Sequence, residues 1–240
     1  MTVVDKPSDR APGPKDLEGT RGRRPIWLVL LAIYCLGFGL ASLARVLIQD
    51  PSLQVRVPFG FYQLLMWHVV FGAIAMCLAW LQVWPRLRAK RPRLHRRIGL
   101  VYLFGGVVPA GLLAIPVSLL AGVGHAYRMS LFVLAVLWLI SAYQGYRSAR
   151  LRRFQLHRRW MLRSVALTTA IISARPLTGV HWGAMASIWP DQYGGAGDLT
   201  YNEALTAAMW TAVVLHLVIV EWIVLRPRTR AETTKLEAAR

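Results

Sequence analysis

The chain has 240 residues, of which 55% are hydrophobic and only 17% are charged. Soluble globular proteins carry about 25% charged residues, so this chain has too little polar surface to face water, and its mean hydropathy is +0.41. These figures argue against a soluble domain, a disordered protein and a disulfide scaffold. The net charge of +18 does not indicate nucleic-acid binding, because the basic residues fall between apolar runs.

Six stretches are long and apolar enough to cross a bilayer as a helix, which takes about 20 residues. We number them as predicted spans 1 to 6, and they cover 25–48, 59–84, 98–120, 127–146, 160–179 and 203–225. Span 5 gives the weakest signal because it contains Arg163 and Arg175. The sequence therefore predicts an all-α membrane protein, with a six-helix transmembrane domain over 25–225 between two basic tails, 1–24 and 226–240.

Lysine and arginine alternate between the two sides of the predicted spans. The segments 1–24, 85–97, 147–159 and 226–240 hold six, seven, six and five of them, whereas the other three loops hold only Arg56 and Arg128. Positive loops stay in the cytoplasm, so we expect both termini on the cytoplasmic side of a bacterial inner membrane. Anionic lipid headgroups at that face are the expected partners.

An internal repeat links two of these basic loops. At an offset of 62 residues, 82–97 and 144–159 share Gln82/Gln144, Leu94/Leu156, His95/His157 and several arginines, including Arg96/Arg158. Parallel repeats in membrane proteins are related by an axis along the membrane normal. The pattern predicts a duplicated core, in which spans 2–3 correspond to spans 4–5 and His95 faces His157 at one depth. The alternative is that arginine-rich loops simply look alike.

His95 and His157 are the first candidate site. Two neutral imidazoles from facing helices can ligate a haem iron, and arginines beside them can pair with the haem propionates. We therefore consider haem b held by His95 and His157, with Arg96, Arg158 and Arg163 as propionate partners. The alternative reading is a positive interface that binds anionic lipid. For Arg163, the alternative is a structural ion pair with Glu221, which lies about one turn from the inner end of span 6.

Two further histidines lie inside spans. His68 is about 13 Å into span 2 and His216 about 20 Å into span 6 at 1.5 Å per residue, and buried ionisable residues in spans are candidates for function. They are either axial ligands of a second haem or polar groups that line a cavity with Arg175. His68 with His125 is another possible outer pair. The structural alternative is a neutral imidazole bonded to a neighbouring helix.

Several of these residues carry a family resemblance. A bacterial family of predicted membrane proteins, a domain of unknown function, is similar to this chain at four places: Trp67-His68 with Gly72, Leu94-His95-Arg96-Arg97 with Gly99, Trp138, and the run from His157 to Ser164 (HRRWMLRS). The resemblance covers about 59–225, and in the sixth helix the family's Asn-Leu and Glu correspond to His216-Leu217 and Glu221. It implies a multi-pass membrane protein without an assigned activity.

A looser resemblance is to di-haem cytochromes b of the ascorbate-reducible type. Those bundles of six helices take their ligands from helices 2 and 4 on one side and from helices 3 and 5 on the other. His68, His95, His125 and His157 fall on predicted spans 2 to 5 or at their ends, in that order. Three functions thus stay open: b-type electron transfer, a non-redox binding protein or transporter, and a structural subunit of a membrane complex.

Overall fold

A computed structural model describes residues 26–48, 60–122, 124–193 and 197–225. The predicted tails, 1–24 and 226–240, and Arg56 lie outside the described residues. All regular structure in the described ranges is helical. The helices are α1 (Ile26–Leu47), α2 (Phe61–Gln82), α3 (Pro85–Lys90), α4 (Pro92–Leu100), α5 (Val108–Leu120), α6 (His125–Arg150), α7 (Phe154–Ile188), α8 (Pro190–Tyr193) and α9 (Gly197–Val218). Two π-helical segments, π1 (Val101–Val107) and π2 (Ile219–Val224), continue α4 and α9.

Five helical stretches in the described ranges are long and apolar enough to cross a membrane. They are Ile26–Arg45, Phe61–Gln82, Pro92–Leu120, His125–Arg150 and Thr200–Trp222. Predicted span 5 lies in α7, which has 35 residues but is not among the five. Its arginines account for this difference, since Arg158, Arg159, Arg163 and Arg175 lower its hydropathy. The chain is thus an all-helical membrane protein.

Small residues bring the helices close together. In α9, Ala204, Ala208 and Ala212 are fully buried and recur every four residues, so they form one stripe on the helix. The corresponding stripe of α7 includes Ala170 and Ala174, which belong to the same buried cluster as Ala212. Membrane helices associate by this kind of small-residue packing because lipid gives no hydrophobic drive between them.

The outward surface is apolar, as a lipid-facing surface must be. Ile26, Ile33 and Leu40 of α1 are 75%, 64% and 59% exposed, and they recur every seven residues on one side of that helix. Trp222 in π2 is 73% exposed. Apolar side chains exposed in this way are stable only in contact with the bilayer.

The bundle has two ends, which we name by a residue at each. At the Arg45 end, α1 and α5 end and α2 and α6 begin; at the His95 end, α2 and α6 end and α4 and α7 begin. The segment 180–202 between predicted spans 5 and 6, expected to be a loop, is mostly helical: α7 continues to Ile188, α8 follows, and α9 begins at Gly197. A 35-residue helix is about 52 Å long at 1.5 Å per residue, so α7 exceeds the bilayer core.

Candidate functional site

A cavity of about 300 Å³ opens toward the Arg45 end of the bundle, between α1, α2, α5, α6 and α7. Most of its wall is apolar, with Met76, Leu131 and Leu167 among the lining residues. The polar groups on the wall are few: Ser42, Arg45, His68, Ser118, Tyr127, Trp138, Thr168 and Arg175. An apolar pocket with a few converging polar groups is the usual form of a small-molecule site.

His68 is the imidazole that lines this cavity. Its Nδ1 lies 2.9 Å from the carbonyl oxygen of Ala110 in α5. A carbonyl only accepts, so Nδ1 carries the proton and Nε2 is left as a hydrogen-bond acceptor. His68 is therefore a neutral ring fixed by its backbone partner, and it offers a basic nitrogen to a bound molecule.

Cationic and phenolic groups lie on the cavity wall toward the Arg45 end. Arg45 is near the last turn of α1, Tyr127 is in the first turn of α6, and Arg175 is in the part of α7 nearest the Arg45 end. Arg175 lies close enough to Tyr127 to act on it electrostatically. The cavity thus combines an apolar interior with positive charge toward one end.

A hydrogen-bonded network borders the cavity on its inner side. Tyr102 in π1 lies 2.8 Å from both Ser164 Oγ and Thr168 Oγ1 of α7. The single Thr168 proton goes to the Ser164 carbonyl, so Thr168 accepts from the Tyr102 hydroxyl and from Trp138 Nε1. Ser164 must then donate to Tyr102. The network is fully satisfied, which fixes Trp138 and Thr168 where they line the cavity.

His95 and His157 lie near each other at the His95 end. His157 is close enough to affect His95 electrostatically, as is Arg88. His157 Nδ1 donates to the Gly145 carbonyl over 2.8 Å, which leaves Nε2 as an acceptor. Arg96 and Arg158, each next in sequence to one of the two histidines, are exposed.

His216 lies apart from His68, between α9 and α7. Its Nδ1 donates to the Ala166 carbonyl over 2.8 Å, and its Nε2 accepts from Ser173 over 2.8 Å. Both ring nitrogens therefore have protein partners. His216 is not among the residues that line the cavity.

Arg163 forms an ion pair across the same helix interface. Its Nε donates to Glu221 Oε1 and its Nη2 donates to Glu221 Oε2, the latter over 3.0 Å. The guanidinium lies 4.4 Å from the ring centroid of Trp160. Arg163 is thus already matched by a carboxylate and an aromatic face. Among the described residues, no group of three or more His, Cys, Asp or Glu could hold a metal ion.

Sequence reasoning missed most of the cavity wall. It singled out His68 and Arg175 as possible cavity residues and Trp138 only within the family resemblance, but not Tyr127 or Thr168. The internal repeat held a signal for the network beside the cavity. Tyr102 and Ser164 are 62 residues apart, so they are counterparts in the two copies, and their side chains hydrogen-bond to each other. Extending the repeat into the spans would have indicated that contact.

A protein family described as "Predicted membrane protein (DUF2306)" matches residues 65–225. The chain belongs to this family. The match begins just before His68 and ends just after π2, so it includes most of the cavity wall, His95, His157, and the Arg163–Glu221 pair. No curated protein and no solved structure matches the chain.

Proposed function

We propose that this DUF2306 protein binds an amphipathic small molecule inside the membrane, as a binding protein or transporter without redox chemistry. The observation that carries the proposal is the apolar cavity of about 300 Å³ with His68, Tyr127 and Arg175 on its wall. The volume lies at the lower end of the range for ligand pockets, about 300–1,000 Å³. The ligand is therefore small.

The polar groups suggest the chemistry of the ligand. The neutral His68 has an acceptor nitrogen and favours a hydroxyl group on the bound molecule. Arg45 and Arg175 favour a negative charge toward the Arg45 end, and guanidinium groups suit carboxylates in particular. An apolar carboxylic acid that also carries a hydroxyl group meets both requirements, with its carboxylate toward the Arg45 end and its hydroxyl donating to His68.

Thermal unfolding of the purified protein with matched probes tests this proposal. We expect 2-naphthoic acid to raise the unfolding temperature more than 2-naphthylmethylamine does, because binding to the folded state stabilises it. His68→Ala should weaken binding of 6-hydroxy-2-naphthoic acid about fivefold, through loss of one hydrogen bond between neutral groups, and should leave binding of 2-naphthoic acid unchanged. Arg175→Gln, at an exposed position, should reduce the preference for the acid.

His125→Ala is the matched control, because His125 is exposed and is not among the residues that line the cavity. An amine that stabilises the protein as well as the acid would contradict the proposal. So would an equal loss of binding in His68→Ala and His125→Ala.

Haem b between His95 and His157 is the second candidate. In its favour, His157 donates Nδ1–H to a backbone carbonyl, the arrangement that orients Nε2 toward a metal. The two histidines also interact electrostatically. A bound haem would supply one-electron transfer, and the exposed Arg96 and Arg158 would pair with its propionates. His68 and His216 as a second ligand pair would first require His216 to leave Ser173.

A reduced-minus-oxidised absorption spectrum of the purified protein tests the haem. A bound haem would give a Soret shift and an α-band that His95→Ala and His157→Ala remove, while His181→Ala keeps them, since His181 bonds instead to Thr211 in α9. A spectrum without these bands rules out the haem and leaves the cavity proposal unaffected.

We also propose the finer topology: six spans in a bacterial inner membrane, both termini in the cytoplasm, and a duplicated core. The bond between Tyr102 and Ser164 supports the duplication, because counterparts contact each other only near a twofold axis. His95 and His157 are each seven residues before these counterparts, on the same helix face. Anionic lipid at the cytoplasmic face remains part of this proposal.

A further inference from the structure

Buried polar atoms without a partner mark a second place in the molecule, at the His95 end. Among the described residues, Gln82 Nε2 and His95 Nδ1 are buried and make no hydrogen bond. Gln82 is only 8% exposed, so its amide is shielded from bulk water. Buried amides and imidazoles almost always have partners, and two such atoms in one region indicate that an additional group completes them.

Gln82 in α2 and His95 in α4 lie on two helices that pack against each other. A Cβ added at Gly99 would lie 3.2 Å from Gln82 Oε1, so the amide rests against the backbone of Gly99. His95 is four residues before Gly99 and therefore on the same face of the helix, one turn nearer the bundle end. Trp80 Nε1 also lacks a partner. Trp80 is two residues before Gln82 in α2, so it lies on another face of that helix.

Positive charge surrounds the crevice between α2 and α4. Arg88 in α3 is close enough to act on His95 electrostatically. The segment 85–97 holds seven lysines and arginines, and all seven are exposed. An amide N–H, an imidazole N–H and several guanidinium groups are donors, so the missing partner is an anion with several acceptor oxygens.

We propose that the crevice between α2 and α4 binds a phosphate group. Gln82 Nε2 and His95 Nδ1 donate to its oxygens, and Arg88 balances its charge. The phosphate comes either from a phospholipid headgroup or from a soluble phosphate. The site is separate from the cavity at the Arg45 end, and it uses His95 Nδ1, whereas a haem iron would bind Nε2.

The second copy of the repeat does not have this feature. In that copy, His157 Nδ1 donates to the Gly145 carbonyl, and Gln144, the counterpart of Gln82, is partly exposed. We therefore expect one phosphate site per chain. The same comparison provides a matched control, because Gln144→Leu changes the same residue type in a region of similar charge.

Three probes test the site on the detergent-purified protein: phosphatidylglycerol, diacylglycerol with the same chains, and inorganic phosphate. Native mass spectrometry and thermal unfolding measure the binding of each. We expect Gln82→Leu to weaken phosphatidylglycerol binding about tenfold, through loss of a bond to a charged acceptor. Gln144→Leu should bind like the wild type, and diacylglycerol should not compete. Gln82→Glu keeps the side-chain shape but replaces the donor with an acceptor, and it should weaken binding further.

The three probes also identify the source of the phosphate. Stabilisation by phosphatidylglycerol but not by inorganic phosphate assigns the site to a lipid headgroup. Stabilisation by inorganic phosphate that Gln82→Leu removes assigns it to a soluble phosphate. Equal binding by wild type and Gln82→Leu for both probes overturns the proposal, as does an equal loss in Gln144→Leu.

Discussion

At the scale of single residues, the Tyr102 hydroxyl has a partner both as a donor and as an acceptor. Its hydroxyl donates to Thr168 and accepts from Ser164, each over 2.8 Å, and its side chain is fully buried. We expect Tyr102→Phe to lower the free energy of unfolding by about 1–2 kcal/mol, since hydrogen bonds between membrane helices average about 0.6 kcal/mol and the change leaves two hydroxyls with fewer partners. Unfolding in detergent measures this.

Tyr143→Phe is the control for Tyr102→Phe, because Tyr143 is 62% exposed and loses the same oxygen. Its stability should match the wild type. A stability loss of the same size in both variants would mean that the network around Tyr102 contributes nothing specific.

Sequence reasoning reached some of these residues and not others, for a physical reason. A histidine inside an apolar run is energetically costly in a membrane, so the sequence marked His68 as a candidate before its cavity was known. Tyr102 and Trp138 are ordinary residues for a span, and their role depends on which helix face meets which neighbour. That choice follows from helix rotation and crossing, which a single sequence does not record.

At the scale of helices, the close approach of π1 to α2 is set by one glycine. A Cβ at Gly106 would lie 2.8 Å from both the Cα and the backbone nitrogen of Ala75, and backbone atoms cannot rotate away. We expect Gly106→Ala to destabilise the protein by about 1–3 kcal/mol, the typical cost of overpacking. Thermal unfolding measures the difference.

Gly105→Ala is the control for Gly106→Ala, one residue earlier in π1. A Cβ there would make an ordinary 3.4 Å contact with Val101 Cγ1, and alanine is the better helix former. Gly105→Ala should be neutral or slightly stabilising. If it destabilised the protein as much as Gly106→Ala does, a general need for flexibility in π1 would replace the explanation by close packing.

The ion pair between α7 and π2 gives a second prediction for helices. Glu221→Gln leaves the Arg163 guanidinium, 21% exposed, without its counter-charge. We expect the free energy of unfolding to fall by about 1–2 kcal/mol, between the values for exposed and for buried ion pairs. The double variant Arg163→Met with Glu221→Leu removes both charges and should recover at least half of that loss. No recovery would mean that Glu221 stabilises the fold independently of Arg163.

The positions of the helices were largely predictable, whereas it was not predictable whether α7 crosses the membrane. A helix lies over each of the six apolar stretches, because about 20 apolar residues in sequence suit a membrane helix. Arg163 and Arg175 made predicted span 5 ambiguous, and by length and composition α7 is not among the five stretches able to cross a membrane. The compensating carboxylate, Glu221, is 58 residues away in sequence, so no local pattern reveals the match. The ion pair was nevertheless predicted as an alternative for Arg163, because both charges lie near the inner ends of their predicted spans, and the structure confirms it.

At the scale of the whole molecule, the number of crossings depends on α7. Its buried residues run from Met161 to Thr178, it packs between α6 and α9, and its length of about 52 Å exceeds a bilayer core of about 30 Å. We therefore expect α7 to cross the membrane. Leu151 and Trp189, 53% and 52% exposed, lie just before and just after it.

Single-cysteine labelling in intact cells tests this crossing, in a background in which Cys35 and Cys77 are alanine. Leu151→Cys should be protected from an impermeant maleimide, because positive loops stay in the cytoplasm, whereas Trp189→Cys should react. Gly122→Cys, between α5 and α6, should behave like Trp189→Cys because both positions lie at the Arg45 end. If Leu151→Cys and Trp189→Cys react alike, α7 does not cross. If Leu151→Cys and Gly122→Cys react alike, α6 does not cross, and residues 95 and 157 lose the common side that the haem proposal requires.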